Sequence, residues 1–482
     1  MDLSIGWPSG RGGDHRAPVE RSFAASVWLT VVAAVIPGSG FWLAGRRRLG
    51  AAVVGVTVAG MLAALLLGLL NPRLYLHSAL KPTRLLEITI ALIVVSVAWM
   101  AVIMLSHLEL RPPQATTLQR VVGVSVAIVL CLIVAAPFAV GARYAYATRD
   151  LINHVFKKDP VSKWTPQRFT DSNPWGGQSR VNILLLGGDG GVDRQGVRTD
   201  SMIVASLDTS TGDTTLFSLP RNLENAPFPA GSELAKLYPN GFNGEGDEGN
   251  WLLNAIYRMV PELHPGVLGA TDNEGADALK MSISTILGIP VNYYVLINLQ
   301  GFTQLVDALG GITVNINQIV PIGGDLDTGR PPTGWINPGP NQHLDGFHAL
   351  WFARGRWNTD DYHRMQNQRC VIDAVINQAN PENILLRYQQ IAEAGKKIAR
   401  TDIPQGLLPA LVDLGLKVKD AKIRSVVFQP SAQFNPASPN FAYIRSIVQK
   451  ALNPTAPGSH RPNLIQKPAS ACAYHPVDPS GG

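Results

Sequence analysis

Charged residues are scarce in this sequence, and long apolar stretches take their place. Asp, Glu, Lys and Arg make up only 16% of the 482 residues, whereas hydrophobic residues make up 46%. The apolar excess is concentrated between residues 23 and 142. This distribution argues against a fully soluble protein, and the length leaves room for two or three domains.

The positive charge lacks the pattern of a nucleic-acid-binding protein. The formal net charge is +6, but no cluster of Lys and Arg has interleaved aromatic residues, and many arginines lie beside apolar segments or among carboxylates. No helix-turn-helix or basic recognition helix is recognisable. We therefore expect an anionic lipid or a phosphate group as partner, and no nucleic acid.

Several binding and catalytic signatures are also missing. The glycine-rich loop at residues 187–196 has neither the G-x-G-x-x-G turn of a dinucleotide site nor the G-K-[ST] of a Walker loop, and no Ser-His-Asp signature or paired-glutamate glycosidase motif is recognisable in the sequence. His343, His348 and His363 lack the spacing of a zinc site, so we expect solvated or core histidines there.

Cysteine is rare, and the three cysteines lie in different surroundings. Cys131 falls inside an apolar run and is expected to pack there, whereas Cys370 and Cys472 lie in the later, less apolar part of the chain. If that part lies outside the cytoplasm, these two could form a disulfide. Two separate buried thiols are the alternative.

Four apolar runs predict an α-helical transmembrane region over residues 23–142. They cover approximately residues 24–44, 50–70, 86–106 and 120–141, each close to the roughly 20 residues that span a bilayer as helix. The first run contains Pro37, Gly38 and Gly40, which makes it the weakest candidate and compatible with a re-entrant or interfacial segment. No cleavable signal peptide is evident.

Arg46, Arg47 and Arg48 form the densest positive cluster between these runs. The positive-inside rule places this cluster in the cytoplasm. Counting the spans from there predicts a multi-pass protein of the plasma membrane whose residues after 142 lie outside the cytoplasm.

Three flanking segments have the composition of tails or linkers. Residues 1–22 are polar and rich in Gly, Pro and Arg, which predicts a disordered tail. Residues 143–180, which include Lys157 and Lys158, are typical of a juxtamembrane linker. The Pro-rich residues 456–482 are predicted to be irregular.

Between these segments the pattern predicts one α/β domain, with a core at residues 181–380 and a C-terminal part at 381–455. Strands are predicted at 183–186, directly after Asp200, and at 214–219, 291–299, 312–316 and 423–428. Helices are predicted at 250–260, 276–287, 302–309, from about 345, and at 361–377, 381–399, 404–418 and 441–452. Residues 323–341 are predicted to be a Gly/Pro-rich loop. This order indicates a sheet covered by helices.

The most informative stretch is residues 181–208, in which two apolar strands flank a glycine-rich loop. Asp189 lies in the loop and Asp200 follows it. An Asp in such a loop repels phosphate unless a cation lies between them, so the pattern favours Mg²⁺ or Mn²⁺ held by Asp189 and Asp200. An Asx turn at Asp189 with a cap or salt bridge at Asp200 is the alternative. A calcium loop is disfavoured because its Asp/Asn ladder and terminal Glu are missing.

Five arginines lie at predicted ends of strands and helices, at positions 198, 221, 354, 356 and 364. Gly355 permits Arg354 and Arg356 to turn into one site, and Arg364 and Gln368 share one helix face. A pyrophosphate with its metal ion is the ligand that these groups would fit. Separate surface ion pairs remain the alternative for any single arginine.

Several ordered blocks resemble the LytR-CpsA-Psr family over roughly residues 180–380. The blocks are NILLLGGDGGVDRQGVRTDSMIVASLD, TLFSLPRN, LNAIY, LGIPVNYYVLINLQGFTQLVDALGGITVNI, LDGFHALWFARGR and DDYHRMQNQR. The resemblance implies a mixed central sheet flanked by helices, a three-layer α/β/α arrangement, with a long apolar pocket for a lipid tail.

The function implied by the resemblance is that of a membrane-anchored, extracytoplasmic, Mg²⁺-dependent phosphotransferase. Such an enzyme transfers a glycopolymer from a polyprenyl-pyrophosphate carrier to a peptidoglycan hydroxyl. The LNAIYR block and the multi-span anchor are most similar to actinobacterial members, which makes arabinogalactan the first expectation for the polymer. The alternatives are a polyprenyl-pyrophosphate hydrolase and a non-catalytic lipid-binding or regulatory membrane protein.

By motif position, the resemblance assigns metal binding to Asp189 and Asp200, and catalytic roles to Asp200, Arg198 and Arg221. The implied pyrophosphate-binding groups are Arg198, Arg221, Arg354, Arg356, Arg364 and Gln368. Leu252 departs from the family pattern, because many members have lysine there; Lys236 is the candidate substitute. The group that accepts the proton of the attacking hydroxyl is not assigned.

Overall fold

The computed structural model describes residues 22–71, 77–78, 80–166, 170, 172–189, 198–325, 329–356, 361–378, 387–453, 465–466 and 472–475. The chain divides into two units. The first comprises Met1–Tyr75 with Leu86–Ala145, and the second comprises Leu76–Leu85 with Tyr146–Gly482. The first unit carries the apolar helices and the second carries the α/β domain.

Five helices account for the apolar region in the described part of the chain. They are α1 (Phe23–Val35), α2 (Ser39–Leu43), α3 (Arg47–Leu70), α4 (Pro82–Leu110) and α5 (Thr117–Val155). Within the described residues, α3, α4 and α5 are the three helices long and apolar enough to cross a membrane.

The first apolar run does not form one long helix. It is broken after Val35, and Gly38 has a φ of 95°, a left-handed conformation that suits glycine. The 13 residues of α1 extend only about 20 Å, which is less than the ~30 Å of a hydrocarbon core. Among the described residues, the spanning candidates therefore number three rather than the predicted four.

The predicted linker is partly helical and attached to the domain that follows. Helix α5 continues to Val155, well beyond residue 142. Beyond its end, the Lys157 N–H donates to the Ile403 carbonyl at 3.3 Å, and the Gln405 N–H donates to the Lys157 carbonyl at 2.8 Å. This stretch is therefore held by backbone hydrogen bonds rather than being a free tether.

A mixed sheet forms the centre of the second unit. Within the described residues it has seven strands in the order β11-β10-β3-β2-β1-β4-β9. The strands are β1 (Arg180–Asp189), β2 (Arg198–Asp208), β3 (Thr214–Leu219), β4 (Tyr293–Asn298), β9 (Ala399–Thr401), β10 (Ile423–Val427) and β11 (Ile465–Gln466). β1 pairs with β4 and β3 with β10 in parallel, and the other pairs are antiparallel.

Helices cover both faces of this sheet, which confirms the predicted three-layer α/β/α class. The helices are α6 (Glu233–Leu237), α7 (Ile256–Leu263), α8 (Glu274–Leu287), α9 (Leu299–Leu309), α10 (Gly346–Arg354), α11 (Asp361–Gln378), α12 (Tyr388–Ile398), α13 (Leu408–Asp420) and α14 (Phe441–Leu452). Alternate strand residues face opposite layers. Leu184 and Phe217 belong to the core under α7, α8 and α14, whereas Ile203 and Leu216 pack with Ile372 of α11.

The domain also contains two small two-stranded sheets, and they contradict one sequence prediction. β5 (Ile312–Ile316) pairs with β8 (Gly339–Leu344), and β6 (Val320–Asp325) pairs with β7 (Arg330–Ile336). The prediction of a loop over residues 323–341 is therefore wrong. Pro331 and Pro332 concealed β7, which tolerates them because a two-stranded ribbon leaves one edge of each strand unpaired.

A buried cluster of charged residues holds the first residues of the α/β domain in place. The Lys280 ammonium, 2% exposed, pairs with Asp277 at 3.0 Å and with Asp402. The hydroxyl of Ser162 donates to Asp277 at 2.6 Å, and Lys280 donates to the Thr165 hydroxyl at 3.0 Å. These contacts satisfy charges that would otherwise be costly to bury, and they attach residues 162–165 to helix α8.

The Pro-rich tail also contributes to the fold. β11 adds a strand to the edge of the sheet. A disulfide joins Cys370 of α11 to Cys472. Asn315 donates to the Cys472 carbonyl at 2.9 Å, and the His475 N–H donates to Asn317 at 2.8 Å. The two stretches of this tail that the structure describes are thus both attached to the domain.

Removal of the Cys370–Cys472 bond should destabilise the α/β domain. Because the bond links residues 102 positions apart, Cys472→Ser is expected to lower the free energy of unfolding by about 2–5 kcal/mol through the entropy of the unfolded chain. The check is the melting temperature of the detergent-solubilised protein with and without reductant. Reductant should lower it for wild type and Cys131→Ser alike, but not for Cys472→Ser; sensitivity retained in Cys472→Ser would refute the role of this bond.

Candidate active site

A cavity of about 940 Å³ lies between the sheet and helices α9, α10 and α11. Its sheet side is lined by Leu185 of β1, Ile203 of β2 and Ile297 of β4. β1 pairs with both β2 and β4, and alternate residues of each strand face the same helical layer. These three side chains therefore form one apolar surface of the cavity. The two ends of the cavity differ in chemistry.

One end of the cavity is apolar. It is lined by Phe302 and Leu305 of α9 and by Val371, Ile372, Val375 and Ile376 of α11. Such a lining offers burial to a hydrocarbon chain and no hydrogen-bonding groups from side chains.

The other end is built around Asp200 and Arg221. In the β2–β3 pair, Met202 lies opposite Leu219, so the antiparallel register continued by two residues places Asp200 opposite Arg221. The Arg221 Nη1 donates to Asp200 Oδ1 at 2.8 Å, and the two side chains are 24% and 26% exposed. The sequence places both residues at strand ends, and the register brings them together.

Helices α10 and α11 add more guanidinium groups at this end. Arg354 at the last turn of α10, Arg356 just after it and Arg364 of α11 all line the cavity. Arg364 Nη2 donates to the Asp200 carbonyl at 3.3 Å, and the Arg354 guanidinium lies 5.6 Å from the centre of the Trp351 ring. Together with Arg221 these residues form what we call the arginine cluster: Arg221, Arg354, Arg356 and Arg364.

Gln368 also lines the cavity, one turn after Arg364. Its side-chain Nε2 donates to the Ala353 carbonyl at 3.2 Å. This bond joins α11 to the end of α10, directly before Arg354. Gln368 therefore positions the two helices relative to each other in addition to facing the cavity.

The arginines control the protonation of Asp200. Burial by itself raises the pKa of Asp200, but the charge and hydrogen bond of Arg221 and the charges of Arg364 and Arg354 outweigh burial, and the pKa is lowered. The carboxylate is therefore ionised at neutral pH. It supplies a negative charge inside a strongly positive region.

Asp189 and Arg198 are described only through their backbones. Asp189 is the last residue of β1 and lies directly opposite Arg198, the first residue of β2. Arg198 in turn lies two positions from Asp200 on β2. The intervening residues 190–197 and the side chains of Asp189 and Arg198 lie outside the described part of the chain, so the predicted metal pair and the predicted Arg198 contact stay predictions. Among the described side chains, no three His, Cys, Asp or Glu lie together as a metal site.

Lys236 is not among the residues that line the cavity. It lies on the short helix α6, is 64% exposed and pairs with Glu233 at 2.7 Å. Leu252 does line the cavity, so the position that the family often gives to lysine is apolar here. The structure gives no support to Lys236 as the substitute.

Arg258 and a set of amides also line the cavity, although their residue types and spacing do not predict them as site residues: Asn222, Asn250, Asn254 and Asn298. The sequence pattern predicts only a helix around Arg258. A signal was available, because Arg258 is the single charged residue between Asn250 and Pro261. The three histidines His343, His348 and His363 are not among the residues that line this cavity.

Comparisons with known proteins identify the relatives of this chain. Residues 146–451 match the model of the LytR_cpsA_psr family. The polyisoprenyl-teichoic acid–peptidoglycan teichoic acid transferase TagU of Bacillus cereus is 28% identical over 278 residues, which is 55% of this chain and 75% of that protein. TagU of Enterococcus faecalis is 27% identical over 291 residues, which is 59% of this chain and 80% of that protein. Among solved structures, a LytR-Csp2A-Psr enzyme from Actinomyces oris has 20% identity and a TM-score of 0.39, covering 62% of this chain and 94% of that one.

Replacing Arg221 should raise the pKa of Asp200. Arg221 is the strongest of the groups that lower this pKa, and burial, which raises it, remains in Arg221→Gln. The stability that Asp200 contributes is present above its unfolded pKa of about 3.9 and is lost as the pH falls through the lower folded pKa. In Arg221→Gln this loss should move to higher pH. The measurement is a pH titration of ¹³C-labelled aspartate carboxyls, with Asp200→Asn to identify the signal and Arg221→Lys as the charge-keeping control; an unchanged Asp200 pKa in Arg221→Gln would contradict the assignment.

Proposed function

The chain belongs to the LytR_cpsA_psr family, and we propose that it transfers a glycopolymer from a polyprenyl-pyrophosphate carrier to a hydroxyl of peptidoglycan. The observation that carries the proposal is the two-ended cavity, with the arginine cluster at one end and an apolar lining at the other. A diphosphate head on a long hydrocarbon chain is complementary to both ends at once. The names of the TagU relatives, which are transferases of polyisoprenyl-linked teichoic acid to peptidoglycan, support the same kind of substrate.

The arginine cluster would bind the diphosphate and balance the charge that develops on it. Guanidinium groups bind phosphate oxygens through parallel hydrogen bonds, and their fixed positions make them effective while charge moves. The apolar end would hold the first part of the lipid and thereby align the diphosphate. Gln368 would keep α10 and α11 in place, so that Arg354 and Arg364 face the same phosphates.

The transfer itself is a displacement at phosphorus. An acceptor hydroxyl forms a new O–P bond at the phosphate that carries the glycan, and the bond from that phosphorus to the bridging oxygen breaks. The electron pair leaves with polyprenyl phosphate, the hydroxyl loses its proton, and the product is a phosphodiester. Arg221 and its neighbours would stabilise the added negative charge on the leaving phosphate.

The proposal includes a divalent cation, Mg²⁺ or Mn²⁺, as cofactor. The donor set fits such an ion, because Asp200 is ionised and the strand register places Asp189 at the same end of the neighbouring strand. When bound, the ion would neutralise phosphate charge alongside the arginines. Asp189 and Asp200 are the residues that would hold the ion.

The proposed location is the outer side of the plasma membrane, with a multi-pass anchor. The cluster Arg46, Arg47 and Arg48 lies at the start of α3, the first of the three long apolar helices α3, α4 and α5. With this cluster in the cytoplasm, three crossings place the residues after Val155 outside, whether or not the first apolar run crosses. An extracytoplasmic domain is also where a disulfide such as Cys370–Cys472 persists.

Arabinogalactan is the polymer that we propose to test first. This choice rests on the resemblance of the LNAIYR block and the multi-helix anchor to actinobacterial members of the family. Teichoic acid, the polymer in the names of the TagU relatives, belongs in the same donor panel.

A reconstituted transfer assay tests this function directly. The full-length protein in detergent, with Mg²⁺, labelled lipid-pyrophosphate-linked glycan and peptidoglycan, should attach label covalently to the peptidoglycan. Chelation of the cation should stop the reaction. Arg221→Ala and Asp200→Asn should each lower the rate by at least about 100-fold, because each removes a charged group from the transition state.

The control for that assay is Lys450→Gln, which removes an exposed charge on α14 and should leave transfer unchanged. Melting temperatures of all variants should show that the domain stays folded. Release of free glycan phosphate without attachment would favour the hydrolase, and no reaction with any donor would favour a lipid-binding role. Near wild-type rates in both site variants would refute the site.

A further inference from the structure

Arg258 is a charged residue of the cavity that the preceding function does not use. It lies on α7, in the wall that also contains Asn250 and Asn254. Its side chain is only 16% exposed, compared with 57% for Glu262, its ion-pair partner one turn later. Arg258 thus faces the protein interior and the cavity more than it faces solvent.

The start of α7 is tied to Arg221. The Asn254 N–H donates to the Arg221 carbonyl at 3.1 Å, and the Leu253 N–H donates to the Leu223 carbonyl at 2.9 Å. Arg258 follows Asn254 by four positions, which is about one helical turn, or roughly 6 Å along the axis. Arg221 and Arg258 thus lie on connected segments and line the same cavity, which a diphosphate held at Arg221 would enter.

The hydrogen bonds of Arg258 leave donor capacity unused. Its Nη2 donates to Asn250 Oδ1 at 2.6 Å, and its Nη1 donates to Glu262 Oε2 at 3.1 Å. Its Nε is buried and has no hydrogen-bond partner among the described residues. A buried N–H without an acceptor is unfavourable, and an oxyanion is the acceptor that a guanidinium fork fits best.

The ion pair with Glu262 is easily exchanged. It is an i,i+4 pair whose carboxylate is mostly in water, and such pairs contribute little to stability. Asp200, the partner of Arg221, is by contrast about three-quarters buried. An incoming phosphate could replace Glu262 at Arg258 at small cost, whereas replacing Asp200 at Arg221 would leave a buried carboxylate without its partner.

We propose that Arg258 binds a phosphate oxygen of the lipid diphosphate and so provides the cation that Leu252 and Lys236 do not provide. The inference rests on the proposed function, because it names an additional binding residue of the same cavity. On binding, the Arg258 guanidinium would release Glu262 and keep its bond to Asn250. The hydrogen bond to Asn250 would then hold the Arg258 guanidinium in the orientation that lets it donate to the phosphate.

The test is the affinity of the full-length protein in detergent for two probes, inorganic pyrophosphate and geranylgeranyl pyrophosphate, each with Mg²⁺, measured by calorimetry. Arg258→Gln should weaken both by about 10- to 100-fold, the effect of losing a hydrogen bond to a charged group. Arg258→Lys should recover part of the affinity because it keeps the charge. Glu262→Gln should bind both probes at least as tightly as wild type, because it frees Arg258.

The controls separate a binding role from a structural one. Lys450→Gln should bind like wild type. If Arg258→Gln and Glu262→Gln weaken binding equally, the ion pair is only a brace for α7 and the proposal is wrong. If wild type binds the lipid probe and both Arg258 variants bind it equally well, Arg258 has no role although the proposed function stands. If wild type binds neither probe, the proposed function itself fails, and this inference fails with it.

Discussion

One partly buried carboxylate, that of Asp200, makes the polar end of this cavity possible. The four guanidinium groups of the arginine cluster line this end, and like charges in one cavity repel one another strongly where water is partly excluded. Asp200 compensates part of that repulsion through the side chain of Arg221 and the nearby charges of Arg354 and Arg364. Without it, the protein would have to fold an uncompensated positive cluster. With it, the cluster is both tolerated and ready for an anionic ligand.

The position of that carboxylate follows from the sheet, and the positions of its partners follow from the layer above. The antiparallel register of β2 and β3 puts Asp200 opposite Arg221. Helices α10 and α11 bring the other arginines from more than a hundred residues further along the chain. The contacts that hold these helices include the Gln368 bond to α10 and the Cys370 disulfide to the tail. The site thus depends on long-range contacts that connect three separate parts of the chain.

Local patterns predicted most elements but not all of them. Alternating and helical periodicities located the strands and helices of the α/β domain, and Gly288 with a φ of 68° ends α8 as expected. The prolines of β7 concealed a strand, and the break at Gly38 divided an apolar run that composition alone treats as continuous. For the site, residue type and element ends selected Asp200 and the arginine cluster. The same approach selected Lys236 and not Arg258. Each is a lone cation near Leu252, the position where many family members have lysine, and only the tertiary surroundings of the two side chains differ.

The sequence by itself determined the class of the protein: apolar segments long enough for a membrane, an α/β pattern, and acids with arginines at element ends. These properties are local, because hydropathy and periodicity depend on neighbouring residues. Tertiary structure decided which charged groups share one cavity, how the cavity continues into an apolar end, and that Arg258 faces it while Lys236 faces solvent. These are properties of strand register and helix packing, in which residues far apart in the chain become neighbours, and no local pattern contains that information.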